Sequence, residues 1–174
     1  MNDRTRKITL SALFAAFAVF SLYIASVWPT GQLGLTAIAS LFVAAAIIES
    51  GKFFGIYVYI VSSVVAFMIV PNRLPVFFFI LIFGYYPIIK SVIEKLKVSV
   101  IVQIILKLIV FNFALTFIWF FIFNGLFIAT WEIDLHIVLI YVFGNVVFLL
   151  FDFGFTKLIW FYINRVSRII NKNR

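Results

Sequence analysis

The chain has 174 residues, of which 66% are hydrophobic, 20% aromatic and only 11% charged, and its formal net charge is +8. A soluble domain of this length cannot bury so much apolar surface, so the composition excludes one and indicates a lipid environment. The positive charge does not indicate a nucleic-acid partner, because the basic residues flank apolar runs, as membrane topology requires. The absence of cysteine excludes disulfides, thiolate metal sites and cysteine nucleophiles.

The first apolar run, residues 8–28, contains 21 uncharged residues and follows a basic leader. As a helix it extends roughly 30 Å, the thickness of the hydrocarbon core of a bilayer. It is too long for the apolar region of a cleaved signal peptide, and no clear small-residue cleavage site follows it. We therefore expect it to be the first membrane span.

Five further apolar runs follow, at 33–48, 53–70, 74–89, 98–123 and 135–162. Each predicts a helix, because only helices and closed barrels satisfy the backbone in lipid, and residues 77–83 lack the alternation of a barrel strand. The predicted fold is all-α: a single transmembrane domain over residues 1–174, with six spans. The runs at 33–48 and 74–89, with 16 residues each, are short for a complete span.

The distribution of lysine and arginine predicts the orientation. With six spans both termini share one side, and that side collects eleven of the basic residues, whereas the other side has only Arg73. Cytoplasmic loops of membrane proteins carry the excess of positive charge. We therefore expect a multi-pass protein of the cell membrane with both termini in the cytoplasm.

Two charged residues lie far inside predicted spans. Lys107 in the fifth span and Asp152 in the sixth are both roughly 13–15 Å from the cytoplasmic end by helix rise. A charge at such a depth is costly, so we predict that the two residues pair or share a polar cluster. Three neutral residues of the same spans are candidates for that cluster: Gln103, Asn112 and Asn145. The cluster either fixes the register of the helices or belongs to a proton or cation path.

The sequence lacks the residue combinations of known catalytic sites. It has a single histidine and no cysteine, and it shows neither a recurring pair of carboxylates in a span nor a glycine-rich phosphate-binding loop. We therefore expect a protein that is not an enzyme and needs no cofactor. His136, near Glu132 and Asp134, has no second histidine or cysteine with which to hold a metal, so a solvated loop residue is expected there.

The opening of the first span places Ala12, Ala15 and Ala16 on one face, near its cytoplasmic end. Such a face either packs inside the protein or allows a partner helix to approach closely. The basic leader with Ala12-Leu13-Phe14-Ala15-Ala16 resembles the start of the substrate-binding S components of energy-coupling factor (ECF) vitamin transporters. These are also six-span proteins of about 20 kDa. The resemblance in residues covers about ten positions, and the resemblance in architecture covers the whole chain.

This resemblance implies that the alanine face docks a transmembrane coupling subunit, which two ATPase subunits energise, and that a small vitamin-like molecule binds on the outer side. The loop between the first two spans is shorter than the lid of some members of the family. Candidate ligand-binding residues lie in the later outer loops and at the neighbouring span ends: Asn72, Arg73, Trp119, Asn124, Trp131, Glu132, Asp134 and His136.

The alternative is a membrane scaffold without transport activity, comparable with the shape-determination protein MreD, which assembles with other membrane or cell-wall proteins. The thin, apolar outer loops favour this alternative, whereas the first span favours transport. Pro87, after Phe83-Gly84-Tyr85-Tyr86, should kink or end the fourth span. That corner is either an aromatic belt before a basic stop or a hinge against a partner.

Overall fold

The computed structural model describes residues 3–118 and 135–167. The described residues form helices and no strands. Within residues 3–118 and 135–167, six helical segments are long and apolar enough to cross a membrane. The predicted all-α, six-span fold class is therefore confirmed.

Seven α-helices make up the six spans. They are α1 (Asp3–Val27), α2 (Gln32–Ser50), α3 (Lys52–Ile69), α4 (Leu74–Phe78), α5 (Tyr86–Ile93), α6 (Val100–Ile118) and α7 (Leu135–Phe161). Two π-helical segments supplement them, Phe79–Phe83 between α4 and α5, and Tyr162–Ser167 after α7. The fourth span therefore consists of α4, a π-helical segment and α5.

Several helices extend beyond the apolar runs in the sequence. Helix α1 begins at Asp3 and so includes the basic leader, because arginine and lysine are good helix formers that can lie at a membrane surface. Helix α2 has 19 residues, and the fourth span has 20 from Leu74 to Ile93. The two runs that looked short in the sequence are therefore long enough once their polar ends are included.

The described residues divide into two compact units, residues 3–92 with 157–167, and residues 93–118 with 135–156. In the first unit α1, α2 and α3 pack against one another. The core between them is rich in small side chains, such as Ala18, Ala39, Ala46 and Ala66, which are fully buried. Small residues let helix backbones approach closely in lipid, where packing rather than the hydrophobic effect drives association.

The turn between α2 and α3 is a single residue, Gly51. Its φ of 101° is a conformation that favours glycine, and its N–H donates to the carbonyl of Ile47 at 3.0 Å. One turn into α3, a Cβ at Gly55 would overlap Cγ1 of Ile47. The two helices are therefore in close contact beside their turn.

We expect Gly55→Leu to lower the free energy of unfolding by about 1–3 kcal/mol, the usual cost of overpacking a close contact. Unfolding in mixed detergent micelles, followed by circular dichroism, measures the effect. The double variant Gly55→Leu with Ile47→Ala should recover part of the loss, because Ile47 supplies the overlapping atoms. Equal stability of the single variant and the wild type would contradict the close contact.

The break in the fourth span lies just before Pro87. The π-helical segment ends with the Gly84 N–H donating to the carbonyl of Phe79 at 2.6 Å, and α5 begins at Tyr86. The Tyr59 hydroxyl donates to the Ile80 carbonyl at 2.9 Å, which satisfies part of the altered backbone. The kink or end predicted from Pro87 is thus present as a change of helix type followed by a turn.

Candidate functional site

The three alanines of the predicted docking face of α1 differ in exposure. Ala12 and Ala16, one turn apart, are exposed, whereas Ala15 is buried. The exposed pair is small enough to leave a depression in the surface of the helix. The structure thus places two of the three predicted docking residues on an outward face.

Helix α3 provides the second wall of this depression. Two adjoining cavities, of about 430 and 500 Å³, lie between α1 and α3 and share Ala12, Ala15 and Val61. We call them together the α1–α3 groove. Its lining residues are Arg4, Ile8, Ser11, Ala12, Ala15, Ala16, Val19, Phe20 and Tyr23 on α1, and Phe54, Tyr57, Val58, Val61, Val65 and Ile69 on α3.

The groove is apolar along most of its length. Its walls carry exposed aromatic side chains, including Phe20, Tyr23 and Tyr57, and its floor carries the alanines. Arg4 lies at the end nearest the start of α1. A long apolar groove with one cationic end suits a membrane-embedded partner, either a helix or a lipid.

The second unit contains the predicted pair of membrane charges. The Lys107 ammonium donates to Asp152 at 3.0 Å from Oδ2 and 3.3 Å from Oδ1. The Lys107 side chain is 6% exposed and that of Asp152 is 14% exposed. The pairing predicted from their equal depth is therefore present between α6 and α7.

Glu94 is a third member of this cluster, which the sequence reasoning missed. The Lys107 ammonium also donates to Glu94 Oε1 at 2.8 Å, and the Glu94 side chain is 41% exposed. The sequence feature that could have indicated Glu94 is its position as a single acidic residue between Lys90 and Lys95. It lies 13 positions before Lys107, at the turn that leads into α6. One buried ammonium thus joins two carboxylates, of which that of Glu94 is the more exposed.

The polar contacts continue along α6 and α7. Asn112 and Asn145 exchange side-chain hydrogen bonds of 2.8 and 3.0 Å, and each also donates to a backbone carbonyl of its own helix. One further turn along, the Thr116 and Tyr141 hydroxyls are 2.7 Å apart. The Asn112–Asn145 and Thr116–Tyr141 contacts fix the register of α6 against α7, because each joins a residue of α6 to a residue of α7.

Gln103 does not lie where it was predicted. Its Nε2 donates to the backbone carbonyls of Leu96 and Val98, at 3.5 and 3.3 Å, and not to Lys107 or its partners. The prediction assumed that a residue one turn away on the same helix would share the cluster. The carbonyls before the start of α6 compete successfully for its amide.

Two of the candidate ligand-binding residues, Asn72 and Arg73, have side chains that the structure describes. Each contacts a residue close to it in the sequence. Asn72 Oδ1 accepts a hydrogen bond from the Leu74 N–H at 3.0 Å, at the start of α4. The Arg73 guanidinium lies over the Phe67 ring, 4.8 Å from its centroid. Both residues lie at the turn between α3 and α4. This turn is therefore the part of the predicted ligand-binding region that the structure describes.

The other candidates lie outside the part of the chain whose side chains the structure describes. They are Trp119, Asn124, Trp131, Glu132, Asp134 and His136. Their predicted role in ligand binding therefore stays a prediction.

Comparisons of the chain with protein-family models, with curated proteins and with solved structures find no match. The groove and the polar cluster are therefore the features of this chain that indicate a function. The groove has the geometry of a binding surface, and the cluster joins two neighbouring helices.

Proposed function

We propose that this protein is the substrate-binding membrane subunit of an ECF-type importer. In this proposal it captures a small vitamin-like molecule on the outer side of the cell membrane. It docks through α1 to a transmembrane coupling subunit, which is energised by two ATPase subunits. The observation that carries the proposal is the exposure of Ala12 and Ala16 on the floor of the α1–α3 groove.

The groove supports docking because of its shape. A partner helix can approach a backbone closely only where the intervening side chains are small, and van der Waals packing is then the main source of affinity in lipid. The exposed aromatic side chains of α1 and α3 can flank such a helix on either side. This arrangement agrees with the role that the resemblance assigns to Ala12 and Ala16.

The proposed topology supports the same assignment. Eleven basic residues flank the spans on the side of both termini, against Arg73 alone on the other, which favours cytoplasmic termini. Ala12 and Ala16 would then lie in the cytoplasmic half of α1, within reach of a complex containing ATPases. The ligand would bind at the opposite side, near the turn that carries Asn72 and Arg73.

A scaffold of the MreD kind remains the second candidate, and one observation favours it. The turn between α1 and α2 is only Trp28–Gly31, which leaves little chain to close over a ligand on the outer side, whereas assembly with another membrane protein needs no such lid. The two candidates differ in the partners and in whether a small ligand is bound.

Native mass spectrometry of the affinity-tagged protein, purified from its own host in mild detergent, tests the proposal. We expect a complex of this chain with one transmembrane subunit and two ATPase subunits, carrying a bound small molecule. A complex with membrane or cell-wall proteins that lacks ATPases would overturn the transport proposal in favour of the scaffold. A chain that carries neither partner nor ligand, in cells in which such a coupling complex is present, would refute both.

A further inference from the structure

We propose that the α1–α3 groove binds one anionic phospholipid, with its phosphate at Arg4 and an acyl chain along Ala12, Ala15 and Ala16. The lipid comes from the leaflet at the N-terminal end of α1. This inference stands on the groove alone and does not rest on the proposed function. If a partner helix also uses this face, the lipid occupies the groove of the undocked protein.

The cationic end of the groove fits the phosphate of a lipid. Arg4, Ile8 and Ser11 follow one another at helical spacing along the same stripe of α1, and all three line the groove. Arg4 is exposed at the first turn of the helix, where lipid headgroups lie. A guanidinium presents its donors in a planar fork that matches the oxygens of a phosphate, and its positive charge favours headgroups with a net negative charge.

Ser11 supplies an independent indication of a ligand. It lies two turns beyond Arg4, about 10 Å deeper by helix rise, and it lines the groove while being only 7% exposed. Its hydroxyl has no hydrogen-bond partner. A buried hydroxyl is normally satisfied, so we infer that the Ser11 side chain rotates toward the groove and meets an acceptor of a bound molecule there. The ester carbonyls of a phospholipid lie between its phosphate and its acyl chains, in the same order as Arg4, Ser11 and the alanines.

The rest of the groove fits an acyl chain. From Ser11 to Tyr23 it follows α1 for about 18 Å by helix rise, and its lining there is apolar apart from the tyrosine hydroxyls. Polarity therefore changes along the groove as it does along a phospholipid, with a charge at one end, one hydroxyl below it and hydrocarbon beyond. A phospholipid supplies, in one molecule, an anion for Arg4, an acceptor for Ser11 and a chain for the apolar part of the groove, which favours the lipid over the apolar helix of a second copy.

Native mass spectrometry of the delipidated protein, titrated with phosphatidylglycerol or phosphatidylcholine of identical acyl chains, tests this inference. We expect one phosphatidylglycerol to bind about tenfold more tightly than phosphatidylcholine, because both have a phosphate but only phosphatidylcholine has an ammonium group, which Arg4 repels. Arg4→Gln should abolish the preference, and Ser11→Ala should weaken the binding of both lipids. Ala12→Leu, which fills the floor of the groove, should also weaken both.

Arg6→Gln is the matched control, because it removes the same charge from the same end of α1 but from a residue that does not line the groove. It should keep the preference for phosphatidylglycerol. Equal binding of the two lipids to the wild type would overturn the proposal, as would equal loss of preference in the Arg4 and Arg6 variants. A lipid-free dimer that Ala12→Leu dissociates would replace the lipid with a second copy of the chain.

Discussion

Replacing Lys107 with methionine should destabilise the protein by about 3 kcal/mol or more, within the range seen when one partner of a buried ion pair is removed. The substitution preserves the length of the side chain but leaves the nearly buried Asp152 carboxylate without its ammonium partner. Glu94 should contribute less to the loss, because it is more exposed and can be hydrated. Unfolding of the purified protein in mixed detergent micelles measures the difference.

Lys157→Met is the control for this substitution, because Lys157 is also a lysine of a membrane helix but is exposed. It should change stability far less than Lys107→Met. The double variant Lys107→Leu with Asp152→Leu should recover most of the lost stability, since apolar residues can replace a buried ion pair with little net cost. A Lys107→Met variant as stable as the wild type would contradict a structural role for the cluster.

The double variant also separates the two roles considered for the cluster. If it folds and still supports the uptake that we propose for this protein, the charges serve only to hold α6 and α7 in register. If it folds normally but uptake is lost, the charges belong to a functional path.

If the proposed function holds, replacing Ala12 or Ala16 with tryptophan should abolish assembly with the proposed coupling subunit while leaving the fold intact. Both alanines are exposed, so a large side chain can be accommodated without disturbing the core, yet it would fill the groove that a partner helix needs. Loss of close packing over a helix interface removes the main source of affinity in lipid. The amount of coupling subunit that co-purifies with each tagged variant measures the effect.

Leu13→Trp provides the control, because Leu13 is exposed on α1 but does not line the groove. It should retain the partner at the level of the wild type. Thermal stability in detergent confirms that each variant is folded before assembly is compared. Normal assembly of both alanine variants would show that the groove is not the docking surface, whatever lipid it binds.

The spans and the buried ion pair were predictable, because both depend on rules that act along the chain. Hydrocarbon thickness sets the length of each helix, and counting residues from the end of a span gave the depths of Lys107 and Asp152. Glu94 was not predictable by counting, since it lies in the turn before α6 and reaches the cluster only through the path of that turn. The hydrogen bonds of Gln103 were not predictable for the same reason, because its partners are carbonyls of the preceding loop.

Only the α1 side of the groove was predictable from the sequence. The alanines of α1 were visible as a small-residue face, but the wall from α3 depends on which helices become neighbours, and hydropathy does not specify that. The burial of Ala15 beside the exposed Ala12 and Ala16 depends on the rotation of α1 against its neighbours. A one-residue difference in position around a helix is about 100°, enough to separate a core residue from a surface residue.

The short connections of the first unit have a consequence for biosynthesis. Only Trp28–Gly31 separates α1 from α2, and Gly51 alone separates α2 from α3. Closing such short loops costs little chain entropy, so these three helices can associate as soon as they leave the ribosome. The surface that carries Ala12 and Ala16 can therefore be complete once residue 69 has entered the bilayer, before α6 and α7 have inserted.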